Sequence, residues 1–142
     1  SGITATEHDK LTRERPPRYD AARIVLNYKD RTALYGRIDR RVEMMDELGL
    51  FAEVEALLKE GLSPDCTAMQ AIGYKEFVDA LAGRCSMETA ASLVQQSSRK
   101  YAKRQLTWFR RNKSIHWITR DACESTEEII RRARQIIHDF DN

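Results

Sequence analysis

The sequence predicts a mainly α-helical protein with two short strands. Three observations carry that expectation. Apolar residues recur at helical spacing over most of the chain, and glycines 49, 61 and 83 follow such runs where helices need a stop. Only residues 21–28 and 115–118 are short, apolar at the centre and rich in β-branched residues.

Taken in order, residues 1–20 are polar, and Pro16-Pro17 prevents a helix from running through them. They read as a tether or as the end of an element whose beginning is missing. Residues 21–28 (AARIVLNY) read as a strand, but a lone strand cannot satisfy its own backbone groups. The chain offers little to build a sheet, so the expectation is truncation, with an unpaired edge that invites dimerisation or strand exchange. Asp30 can cap a helix reaching Leu48, with Gly49 as its stop. A shorter helix covers residues 50–60 and ends at Gly61. Pro64 and Asp65 open a turn into residues 67–75, and a helix runs on through Ala82 to Gly83. Ser86 begins a long helix that extends to Asn112. Residues 115–118 form a second short strand. Ser125-Thr126-Glu127-Glu128 has capping-box spacing and starts a helix with Ile129, Ala133, Ile136, Ile137 and Phe140 on one face. The chain therefore divides into 1–20, a central unit 21–118 and a terminal helix in 119–142.

Composition limits the function classes. The 142 residues suit one compact unit or part of a larger enzyme, and 42% hydrophobic content is enough for a core. Net charge is only +2, so the overall balance says little about partners. Cys66, Cys85 and Cys123 have no C-x-x-C spacing, which argues against a disulfide framework and a zinc ribbon. His8, His116 and His138 form no ligand pair, and no metal site is expected in the chain. No apolar run approaches a membrane span and no signal-peptide pattern is present, which makes the cytoplasm the default.

The distribution of charge is more informative. Between Arg99 and Lys113 there are seven basic residues and no acidic one. At about 100° per residue, Val94, Tyr101, Ala102, Gln105, Trp108 and Phe109 fall on one arc. Arg99, Lys100, Lys103, Arg104, Thr107, Arg110 and Arg111 fall on the other. The expectation is an apolar keel under a cationic ridge. Such a ridge repels itself unless an anion neutralises it, and nucleic acid matches its length and spacing. A solvated face and a membrane-surface helix are the competing readings, though acids usually interleave on the first and the second lies outside a folded core.

Two further places stand out. Leu34, Ile38, Val42, Met45 and Leu48 define the stripe of the helix 30–48, and Arg41 falls inside it on the same arithmetic. An arginine against apolar neighbours needs a carboxylate or a phosphate group; the pattern leaves internal ion pair and ligand both open. In Gln70-Ala71-Ile72-Gly73-Tyr74-Lys75, Gly73 permits a positive φ, Tyr74 could stack on a base and Lys75 could meet a phosphate. Packing is the competing role for Tyr74.

These places coincide with motifs of a known family. Gln70 to Glu76 (QAIGYKE), Tyr101 to Arg110 (YAKRQLTWFR) and Leu34 to Arg41 (LYGRIDRR) resemble, in order and spacing, the C-terminal signature of tRNA dimethylallyltransferases. The likeness runs from about Arg18 to Trp117. The resemblance implies a C-terminal fragment of a P-loop, nucleotide-kinase-like α/β enzyme. It implies transfer of dimethylallyl from its diphosphate to N6 of the adenosine 3′ of the anticodon, with magnesium. Carried over residue by residue, Arg41 matches a diphosphate-binding arginine, and Gln70, Ala71, Ile72, Gly73, Tyr74 and Lys75 match a tRNA-contacting turn. The segment Lys103 to Arg110 matches a second tRNA contact, with Lys103, Arg104, Gln105, Thr107 and Arg110 as its candidates and Trp108 and Leu106 assigned to the keel. The target base must leave its stack to be alkylated.

The family's G-x-x-x-x-G-K-[ST] loop is not among the six glycines here, and its catalytic aspartate motif is missing as well. No catalytic residue is expected in this chain, magnesium ligands are expected outside it, and the isolated chain is expected to be inactive. A non-enzymatic RNA-binding module and a helical domain for an acidic protein partner are the alternatives.

Overall fold

A computed structural model describes residues 2–14 and 19–141. Its elements are α1 (Ala5–Glu14), β1 (Arg23–Tyr28), α2 (Arg31–Glu47), α3 (Leu50–Lys59), a 3-10 turn (Thr67–Gln70), α4 (Tyr74–Leu81), α5 (Met87–Phe109), β2 (Ile115–Arg120) and α6 (Thr126–Asp141). The mainly helical reading with two strands holds, and the local chemistry explains most boundaries. The Asp30 carboxylate accepts from the Thr32 N–H at 2.9 Å and caps α2. Gly49, at φ 100°, takes the left-handed turn that separates α2 from α3. Ser86 caps α5 by accepting from the Thr89 N–H at 3.2 Å.

Three expectations are sharpened or changed. Residues 1–20 contain a helix: the Thr4 N–H donates to Glu7 Oε2 (3.0 Å) and the Glu7 N–H to Thr4 Oγ1 (3.3 Å). That is a reciprocal capping box, whose T-x-x-E spacing was open to view in the sequence. Pro16 and Pro17 lie outside the described residues. At α6, Ser125 does accept from the Glu128 N–H (3.2 Å), but the Glu128 carboxylate turns to Arg131 instead of closing the box.

The third change concerns β1. It does not lack a neighbour: it pairs in parallel with β2 along its whole length, from Arg23 opposite Ile115 to Tyr28 opposite Arg120. Helices α2 to α5 form the crossover that a parallel pair requires. Parallel partners far apart in sequence share no turn signal, which is why the pairing was not legible. Among the described residues the sheet has these two strands only.

The core lies in the crossover. Val42, Leu50, Val54, Met69, Phe77, Val78, Ala90 and Val94 form one buried cluster from α2 through α5. Phe51 meets Phe77 edge-on at 5.8 Å between ring centroids. The sheet adds Ile118, buried on β2. Helix α6 is tied to β2 by Arg132, which donates to the Thr119 carbonyl (3.0 Å) and to Glu124 Oε1 (2.6 Å). Of its predicted face, Ile129, Ala133 and Ile136 are half-buried, while Ile137 and Phe140 remain exposed.

Candidate nucleic-acid interface

Helix α5 supplies most of the site. Its inner line begins at the buried Ala90 and Val94 and continues through the half-buried Ser98, Ala102, Leu106 and Phe109. This corrects the expected keel. Val94, Ala102 and Phe109 do face inward, but Tyr101 is 48% and Trp108 66% exposed, and Gln105 is exposed as well. The helix packs on a line displaced toward Leu106, leaving the two aromatic rings on its flank. An apolar arc read from spacing alone does not say where neighbouring helices stop.

The ridge is also redistributed. Arg99 leaves it, forming an ion pair with Asp39 of α2 in which both side chains are about one-third exposed. Arg104 lies over the Tyr101 ring at 5.7 Å from its centroid, and Lys100 Nζ donates to Gln96 Oε1 at 3.0 Å. The side chains of Lys103, Arg110, Arg111 and Lys113 have no hydrogen bond or ion pair among the described residues.

Lys103, Thr107 and Arg110 converge on a cleft of about 150 Å³ between α5 and the corner where β1 enters α2. Lys29, Arg31 and Tyr35 line its opposite side. Thr107 Oγ1 donates to the Lys103 carbonyl at 2.9 Å, leaving its lone pairs toward solvent. Arg104 and Gln105, placed with them in the sequence reading, do not line this cleft.

The turn before α4 is built around Gly73, at φ 101°, where an added Cβ would stand 3.3 Å from Leu50 Cδ2. Its N–H donates to Glu76 Oε2 at 2.9 Å. Glu76 is only 4% exposed, and its other oxygen accepts from Ser97 Oγ of α5 at 3.0 Å. One buried carboxylate thus fixes both the turn and its seat on α5. Glu76 is a site residue absent from the candidates above, and a glycine three residues before a glutamate is the sequence signal for it. Tyr74 is half-buried against the core, and its hydroxyl donates to Glu53 Oε1 at 2.6 Å. That bond holds the phenol's pKa above its usual value. Gln70 Nε2 donates to the Pro64 carbonyl (3.3 Å), Ile72 packs at the core edge, and Ala71 and Lys75 are exposed.

Relative to Ser97, Lys103 is about 9 Å and Arg110 about 20 Å farther along α5 at 1.5 Å per residue. Around the axis Lys103 is about 120° from Ser97, whereas Arg104 is within about 20° of it. The turn therefore shares a flank with Arg104 and Trp108, and the cleft opens on another.

Arg41 departs from its expected setting. It is exposed and has no ion pair or hydrogen bond among the described residues. Leu48, which widened the stripe enough to enclose it, is 87% exposed. Arg41 also lies ten residues beyond Arg31, about 15 Å along α2, and does not line the cleft. Among the described residues no group of three or more His, Cys, Asp or Glu could hold a metal ion. No described helix is long and apolar enough to cross a membrane.

Comparison with known proteins points to one family. The family model described as IPP transferase matches residues 1–112. A tRNA dimethylallyltransferase of Acetivibrio thermocellus is 39% identical over 133 residues, covering 94% of this chain and 42% of the relative. One from Bacillus cereus (strain B4264) is 48% identical over 113 residues, covering 80% of this chain and 35% of the relative. The crystal structure of the full-length tRNA isopentenylpyrophosphate transferase of Bacillus halodurans superposes with a TM-score of 0.80 at 38% identity, over 96% of this chain and 44% of that one. The chain thus spans less than half the length of these relatives.

Proposed function

The chain belongs to the IPP transferase family, and on that premise we propose that it forms the RNA-gripping part of a tRNA dimethylallyltransferase. The reaction moves a dimethylallyl group from dimethylallyl diphosphate to N6 of the adenosine 3′ of the anticodon. The observation that carries this reading is the convergence of Lys103, Thr107 and Arg110 on one cationic cleft in a member of that family. Cations without carboxylate partners on a packed scaffold favour a phosphate-rich ligand, since each neutralised phosphate releases counterions.

On this reading the tRNA anticodon stem-loop meets α5 on two flanks. Lys103, Thr107 and Arg110 take the backbone in the cleft. Arg104 and Gln105 work beside the turn Gln70, Ala71, Ile72, Gly73, Tyr74 and Lys75, in which Lys75 carries the charge. Tyr74 acts chiefly by holding the turn, because its hydroxyl is bound to Glu53 and its ring packs inward. Arg41, exposed, permanently charged and unpartnered, is available to the diphosphate, whose charge grows as it leaves. The magnesium that the resemblance implies would take its ligands from outside this chain. The sequence contains no G-x-x-x-x-G-K-[ST] loop, so on this reading the cradle for the dimethylallyl diphosphate is supplied outside this chain, as is the base that accepts the adenine proton. The setting is the cytoplasm, where tRNA is modified.

An assay of dimethylallyl transfer with this chain, alone and mixed with an N-terminal fragment of a relative carrying the phosphate loop, tests the proposal. Transfer is expected only in the mixture. Transfer by this chain alone overturns the division of labour. Absence of tRNA binding at low salt overturns the RNA-gripping role.

A further inference from the structure

The cleft between α5 and the β1–α2 corner has properties that the motif segments by themselves do not explain. Part of its lining comes from outside all of them, with Lys29 just after β1 and Arg31 in the first turn of α2, and Tyr35 of the Leu34 to Arg41 segment stands one turn later. Four cationic side chains, Lys29, Arg31, Lys103 and Arg110, face one small space, and no carboxylate lines it. The neighbouring Asp30 carboxylate is committed to the Thr32 N–H. Lys29 has only a long contact with Asp121, at 3.9 Å between largely exposed groups, a pairing worth little in water. Arg31, Lys103, Arg110 and the Tyr35 hydroxyl have no partner among the described residues.

Size selects among anions. A cleft of about 150 Å³ has room for one phosphoryl group. The two sides are also held at a fixed separation. The Arg99–Asp39 ion pair joins α5 to α2 one helical turn from the cleft on both helices, four residues before Lys103 and four after Tyr35. Four like charges kept together by packing repel one another until an anion enters between them.

We propose that this cleft is a phosphate clasp, closed from one side by Lys29, Arg31 and Tyr35 and from the other by Lys103, Thr107 and Arg110. Its ligand is a single phosphoryl group, with arginine offering paired N–H donors and lysine a point charge. An RNA backbone phosphate as its source rests on the function proposed above; a free phosphate does not.

The test uses the 142-residue chain and its Arg31→Gln and Arg31→Lys variants, with thermal unfolding as a check on integrity. Two probes are titrated: inorganic phosphate by calorimetry, and an anticodon stem-loop RNA by fluorescence anisotropy across a salt series. Arg31→Gln is expected to weaken the RNA about tenfold and to reduce the salt slope by roughly 0.7–0.9, one phosphate contact, while Arg31→Lys keeps most of both. Weaker phosphate binding by Arg31→Gln with unchanged RNA binding also supports the clasp and assigns it to a free anion. RNA binding that depends on Lys75 but ignores Arg31→Gln, with no effect on phosphate, overturns the clasp and leaves the RNA-gripping role standing. Failure of the unsubstituted chain to bind either probe overturns both.

Discussion

The two halves of α5 have the same backbone geometry and opposite chemistry. Residues 87–98 carry no basic side chain and place Ala90 and Val94 in the core, with Ser97 holding the buried Glu76. Residues 99–109 begin with a structural ion pair and then present Lys103 and Arg104 with the exposed rings of Tyr101 and Trp108. A single helix therefore joins a half that stabilises the fold to a half available for a ligand. The rigidity of the first half fixes the positions of charges on the second, the arrangement a binding surface needs to avoid an ordering cost.

Substitutions can break this contrast in graded steps. The largest effect is expected from Val94→Asp, which places a carboxylate in the Met69–Phe77 core and should cost about 3–5 kcal/mol, measured by chemical denaturation. Next, Glu76→Ala removes both acceptors of the Gly73 N–H and the Ser97 hydroxyl; leaving those groups unsatisfied should cost about 2 kcal/mol. Glu76→Gln keeps one acceptor oxygen and should cost less.

Tyr74→Phe loses one hydrogen bond to Glu53 and should cost about 1 kcal/mol near neutral pH. Its pH dependence has a definite sign. The hydrogen bond raises the phenol's folded pKa above 10.0, so its stabilisation is present below the unfolded value and is lost as pH rises through the raised one. The stability gap between Tyr74→Phe and the parent protein should therefore close in alkaline solution, and a gap that widens there contradicts the assignment. The smallest effect is expected from Trp108→Ala, within about 0.5 kcal/mol because the ring is 66% exposed. A larger loss would mean that Trp108 packs after all.

How far the sequence revealed this depends on how local each cause is. Asp30, Gly49, Ser86 and Ser125 act within a few residues, and the elements they bound were legible from spacing. The pairing of β1 with β2 was not, because the strands meet across four intervening helices with no turn to mark them. In the candidate site, Lys103, Thr107 and Arg110 stand on one ridge in the sequence pattern, and the structure brings them to one cleft. Lys29, Arg31 and Tyr35 carry no sequence signal of a shared site because their relation to α5 exists only in three dimensions. The expected burial of Arg41 and Trp108 is not found for a shared reason: periodicity gives an angle around a helix, whereas burial depends on how far the neighbouring elements extend. Leu48 and Trp108 both lie past the ends of that cover.

The exposed cations Lys103 and Arg110 at the end of α5 are proposed to grip RNA without sustaining the fold. That claim is tested most directly by the Lys103→Gln/Arg110→Gln double variant, titrated with an anticodon stem-loop over a salt series and unfolded in parallel. The slope of log K against log salt should become shallower by roughly 1.4–1.8, two phosphate contacts, while stability stays within about 0.5 kcal/mol of the parent. An unchanged slope with unchanged affinity would contradict the claim.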